Sequence, residues 1–106
     1  MDFGCYDYLK DICRLENLPT IEKGFAVMLT NDSAYYTDTK RLSAYDNFKI
    51  YDGVTRGGRL SWGLTSKGAP FVSGSRNAFT LKKNYTMQWQ PYNGGVYDFQ
   101  YLINEV

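Results

Sequence analysis

Histidine is absent from the 106 residues, and that absence removes more chemistry than any residue present adds. Without imidazole there is no Ser-His-Asp triad, no Cys-His pair and no histidine zinc ligand, so acid–base work falls to carboxylates, lysine or tyrosine. Cysteine is scarce, with only Cys5 and Cys13. On one helix these two stand about 12 Å apart, beyond the roughly 7 Å reach of a disulfide between alpha carbons. Two thiols also make no metal framework. No apolar run approaches the roughly 20 residues of a membrane-spanning helix, and the first residues carry acids where a secretory leader carries bases and then apolar residues. The expectation is a cytoplasmic chain without a membrane partner. Acids are missing from one long stretch: residues 53–97 contain none, although the whole chain is close to neutral at +1.

That stretch contains Arg56, Arg59, Lys67, Arg76, Lys82 and Lys83, interleaved with Trp62, Phe71, Phe79, Tyr85 and Trp89. Alternating cations and rings suit phosphate contact with base stacking. An antiparallel sheet with a basic solvated face and an aromatic core face produces the same pattern by strand alternation alone. Both readings stay open at this level.

The remainder describes one α+β domain over residues 1–106, with 43% hydrophobic and 17% aromatic content enough for a single modest core. In residues 4–16, Cys5, Tyr8, Leu9, Ile12 and Leu15 fall on one helical face, and Asp7, Lys10, Asp11 and Arg14 form an exposed charge lattice opposite. Strands are expected over 24–30, 47–52, 58–63, 79–90 and 96–105. The run Phe25 to Leu29 reads as a central strand buried on both faces. "FKIYDG" and "GRLSWG" read as a hairpin around "VTRG", with Gly57-Gly58 in its turn. "SAYYTDTKRLSAYDN" reads as a loop or short helical turn, and "LTSKGAPFVSGSRNA" as a long surface loop. The fold is thus a helix packed on a mostly antiparallel sheet of about five strands. A strand covered on both faces needs two layers, yet one helix and four one-sided strands supply less than that. A second copy, or residues preceding Met1, would have to supply the rest, so a homo-oligomer is expected.

The order "YDYLKDICRLE", "GFAVMLTNDSAYY", "FKIYDG" with "GRLSWG", "YTMQW" and "DFQYLINEV" resembles the C-terminal half of uncharacterised bacterial proteins related to the PD-(D/E)XK nucleases, the restriction-endonuclease-like superfamily. The resemblance covers nearly the whole chain, through packing motifs and not catalytic ones. It implies a truncated nuclease-like fold whose Asp and Glu-x-Lys would lie upstream of residue 2. A local imitation exists in Asp32 followed by Asp38-Thr39-Lys40, but two-carboxylate metal chemistry asks for acids on adjacent strands, and this segment reads as an Asx turn and a polar loop.

Three functions compete on these grounds. The first is a non-catalytic half of a nuclease-like protein that binds DNA or a partner subunit through Arg56, Arg59, Lys67, Arg76, Lys82 and Lys83. The second is a protein-interaction or inhibitor module using a tyrosine-rich surface, including Tyr6, Tyr8, Tyr35 and Tyr36, and a sheet edge. The third is a Mg²⁺-dependent nuclease using Asp32, Asp38 and Lys40, the one reading that calls for a cofactor.

Overall fold

A computed structural model of the chain describes residues 3–19, 23–40, 43–65, 67–71, 74, 76–93 and 98–106. Helix α1 (Gly4–Glu16) forms where the apolar spacing places it, and buries Tyr6, Tyr8, Leu9, Ile12 and Cys13. Asp7 lies in its first turn and Arg14 in its last, each favourably placed in the helix dipole. Asn17 stops it, with its backbone N–H on the Arg14 carbonyl and its side-chain amide donating to the Cys13 carbonyl. Next come β1 (Phe25–Thr30), the short helix α2 (Ser33–Tyr36) and a 3₁₀ turn at Asp46–Phe48. They are followed by β2 (Thr55–Leu60), β3 (Phe79–Thr86), β4 (Trp89–Tyr92) and β5 (Phe99–Glu105). No described helix is long and apolar enough to cross a membrane.

The α+β class is as expected, but the strands form two antiparallel sheets, not one. The larger has the order β1-β5-β4 and the smaller pairs β2 with β3. The segment 79–90 divides between them, because the backbone turns away after Thr86. Met87 exchanges hydrogen bonds with the 53–54 loop, its N–H to the Val54 carbonyl and its carbonyl from Gly53 N–H. Trp89 N–H then meets the Asp52 carboxylate at 2.9 Å. Side-chain alternation survives the transfer, so Leu81, Tyr85, Met87 and Trp89 are all buried. The last strand starts at Phe99 and not at 96; residues 94–97 lie outside the described residues.

The hairpin expected between 47–52 and 58–63 does not form. Ser43 donates to the Asp46 carboxylate through both its N–H and its hydroxyl at 3.0 Å, which winds Asp46–Phe48 into a 3₁₀ turn, and β2 takes β3 as its partner. Phe48 and Ile50 are fully buried, as their alternation suggests. Gly57 is an in-strand glycine and not a turn residue: it lies where the β2–β3 register shifts, and a Cβ there would collide with the Asn84 side chain. The sharp turn occurs at Tyr51–Val54, where Gly53 has φ +88 and Val54 N–H bonds the Tyr51 carbonyl.

Helix α1 packs on β3 and on β1, so it covers both sheets. At its C-terminal end the Glu16 carboxylate accepts from the N–H groups of Lys82 (2.8 Å) and Lys83 (3.1 Å) and from the Tyr85 hydroxyl (2.7 Å). Burial, and then the Glu16 carboxylate, push the Tyr85 phenol far up, which keeps it a donor. Around Tyr6 the core is aromatic: its ring stacks on Trp62 at 5.4 Å and meets Phe48 and Phe79. Loop carbonyls satisfy the polar tips, with Tyr6 on Asn77, Trp62 on Arg76 and Trp89 on Ile50.

Between the sheets, the Tyr8 hydroxyl donates to Asn104 Oδ1 at 2.7 Å and also contacts the Ala26 carbonyl at 3.1 Å, while Asn104 Nδ2 reaches the Thr86 carbonyl at 3.3 Å. Burial pushes the Tyr8 phenol far above its ordinary range. Tyr8→Phe strands the Asn104 carbonyl in the core and is expected to cost about 1–3 kcal/mol, read as a lower urea midpoint at unchanged slope. An unchanged midpoint would show that this network holds nothing together.

Candidate functional site

The six cations of the acid-free stretch do not form one surface with the rings between them. Phe79, Tyr85 and Trp89 are buried, Trp62 and Phe71 half-buried, because the strands turn their aromatic face inward. Arg56 is half-buried, its Nε on the Lys49 carbonyl and its Nη2 on the Asp46 carbonyl, both at 2.8 Å. Burial lowers its pKa, opposed by Tyr51 and Asp46; the guanidinium stays charged and holds the 3₁₀ turn against β2. Arg76 lays its guanidinium over the Phe3 ring at 4.0 Å, with Nε 3.7 Å from Asp7. Lys82 reaches back to the Glu16 carbonyl through Nζ at 3.2 Å. Arg59, Lys67 and Lys83 have exposed side chains, on β2, on a loop and on β3 respectively.

The acids of the Asp/Asp-x-Lys imitation each serve the adjacent backbone. Asp32 caps α2 by accepting from Ala34 N–H, and Asp38 accepts from Lys40 N–H, both at 3.0 Å. Lys40 adopts a left-handed φ of 56 to close that Asx turn. All three are exposed, and among the described residues no three acids or cysteines converge as metal ligands.

Two other features could receive a ligand. A cleft of about 470 Å³ opens between the first turn of α1, α2 and the segment 43–51, walled by Tyr6, Tyr35, Tyr45, Phe48, Tyr51 and Trp62. Among the described wall residues the one cation is Lys49, paired with Asp46 at 2.9 Å. Burial alone would raise the Asp46 carboxyl, but Lys49 and the two Ser43 hydrogen bonds outweigh it and hold it below its ordinary value.

The second feature is the outer face of the β1-β5-β4 sheet, and here an expectation fails in an informative way. β1 is an edge strand, not a central one. Its inward residues Ala26 and Met28 face the core, but Phe25, Val27 and Leu29 are 54%, 62% and 53% exposed. Val27 lies directly opposite Ile103, itself 49% exposed, and Leu29 opposite Tyr101. Cross-strand neighbours of this kind lie about 5 Å apart at Cβ, so these side chains form one apolar surface. Tyr92, 47% exposed, extends it on β4. The unbroken run Phe25 to Leu29 does mean apolar residues on both faces, but that pattern cannot say whether the second face is covered.

No family model matches the chain, and no curated protein or solved structure does. None of these comparisons links the chain to the PD-(D/E)XK proteins.

The assignments of Arg56 and Asp46 lead to two measurements. Arg56→Ala removes two hydrogen bonds from a half-buried charged donor and is expected to destabilise by about 2 kcal/mol, whereas Arg59→Ala stays within about 0.5 kcal/mol. Equal effects would contradict the difference in their surroundings. Because the folded Asp46 carboxyl titrates below its ordinary value of 3.8, its stabilisation is present above that pH and fades as pH falls through the lower folded value. The melting-temperature gap between the wild type and Asp46→Asn should be flat from about pH 5 upward and close below about pH 4. A gap that widens in acid would reverse the assignment.

Proposed function

We propose that this chain is a protein-binding module that docks through the outer face and free edge of the β1-β5-β4 sheet. One observation carries the reading: an edge strand exposes Phe25, Val27 and Leu29 in register with Ile103 of its neighbour. Contiguous apolar surface of this kind, beside unpaired strand backbone, is a recognition surface in soluble domains and otherwise an aggregation hazard. An added strand meets main-chain donors and acceptors at the edge and side-chain contacts beside it. The cations speak less for a nucleic-acid partner, since Arg56 and Arg76 are committed within the fold and the rings that would stack bases lie largely inside.

A photoreactive benzoylphenylalanine placed at Phe25 or Ile103 in producing cells is expected to give discrete protein adducts on irradiation, and one at Arg59 or Lys67 none. Adducts confined to the Arg59 and Lys67 positions, or none anywhere, would overturn the reading.

A further inference from the structure

The cleft beside α2 is walled mainly by rings. Its volume of about 470 Å³ lies within the range of about 300–1,000 Å³ typical of small-molecule sites. Seven of the fifteen described residues lining it are Phe, Tyr or Trp, against 17% for the whole chain, so rings gather here beyond what composition supplies. The deeper ones have their polar atoms spent within the fold. The Tyr6 hydroxyl donates to the Asn77 carbonyl at 2.7 Å and the Trp62 indole to the Arg76 carbonyl at 2.6 Å, while Phe48 is fully buried. Nearer the opening stand Tyr45, 38% exposed, and Tyr51, half-buried. Neither of these has a ring or hydrogen-bond partner for its side chain among the described residues. Tyr35 closes the α2 side, so near α1 that a Cβ on Gly4 would come within 2.5 Å of its hydroxyl oxygen; the missing side chain at Gly4 makes room for this wall.

Charge decides what such a cleft would hold. Lys49 is spent on Asp46 at 2.9 Å, and the neighbouring Arg56 guanidinium on the Lys49 and Asp46 carbonyls. Asp32 lines the cleft without a counter-charge among the described residues: it is exposed, and one of its carboxylate oxygens accepts from Ala34 N–H at 3.0 Å. An anion would meet this carboxylate and the negative faces of the rings, with the nearby cations already committed. A cation gains from both. We infer that the cleft binds an organic ammonium ion, held against the rings of Tyr35, Tyr45 and Tyr51 with Asp32 as its counter-charge. A quaternary, methylated nitrogen suits it better than a bare ammonium, because its methyl groups cover ring carbon while the charge faces the ring quadrupoles. A divalent metal suits it poorly, since such ions ask for several converging oxygen ligands and no three acids or cysteines converge among the described residues. The cleft shares no lining residue with the exposed face of the β1-β5-β4 sheet, so this inference is independent of the docking reading.

Choline titrated into the intact chain and followed by protein NMR is expected to saturate at millimolar concentrations, with the largest shifts at Tyr45, Tyr51 and the Trp62 indole. Its uncharged isostere, in which carbon replaces the quaternary nitrogen, should bind at least about tenfold more weakly. Asp32→Asn keeps a capping side chain on α2 and removes only the charge, so it should weaken choline by about threefold or more and leave the isostere unmoved. Tyr45→Leu, at an exposed ring, should weaken choline by a comparable factor with an unchanged melting temperature. No saturable binding, shifts confined to another part of the molecule, or an isostere as tight as choline would overturn the assignment. So would a choline affinity indifferent to both Asp32→Asn and Tyr45→Leu.

Discussion

The buried hydrogen bond from the Tyr8 hydroxyl to Asn104 is the constraint on which the rest of the architecture hangs. A two-stranded sheet is marginal by itself and a three-stranded sheet needs a covered face. Helix α1 provides cover for both, and Tyr8 ties the helix to β1 and β5 while Asn104 reaches on to the Thr86 carbonyl of β3. Asn104 is the one buried polar residue among those described, so its pairing is what makes burial tolerable there. Glu16, bonded to Lys82, Lys83 and Tyr85, repeats the device at the other end of the helix. Between these two anchors the apolar side chains Leu9 and Ile12 are fully buried, so the helix cannot slide or rotate without breaking one polar set or the other.

How much of this was legible in the sequence depended on whether a signal was local. The α1 stripe was legible because a 3.6-residue period belongs to the helix alone, although Tyr6 and Cys13, which complete its buried face, lie outside the expected stripe. The buried positions Leu81, Tyr85, Met87 and Trp89 were legible from alternation, whereas the switch of partner after Thr86 was not, since alternation is blind to which sheet a strand joins. The hairpin reading of 47–52 with 58–63 failed for a related reason. Phe48 and Ile50 alternate like a strand, but the Ser43 and Asp46 hydrogen bonds wind the backbone, and the acceptors that fix Arg56 are main-chain carbonyls with no sequence signature.

The candidate sites were legible to a smaller degree, because charge along a chain is not charge on a surface. Arg56 and Arg59 are close neighbours in sequence, yet one is a half-buried clamp and the other projects into solvent. Asp32 and Asp38 belong to short capping and turn motifs whose hydrogen bonds reach two residues along the chain. Such motifs place an acid precisely where its own backbone needs it, and bringing acids together requires longer-range structure.

The deficit of covering layers, visible in the sequence as one helix for a doubly apolar strand, takes a definite location in the fold. It falls on one side of β1 and β5, and β1 carries no gatekeeping residue that would suppress pairing there. A single lysine at Val27 would break the apolar continuity with little effect on the core, because Val27 is already 62% exposed. Burial in the core therefore gives no reason for an apolar residue at this point. Ile103 lies directly opposite and is itself 49% exposed, so two strands distant in sequence share one apolar surface outside the core.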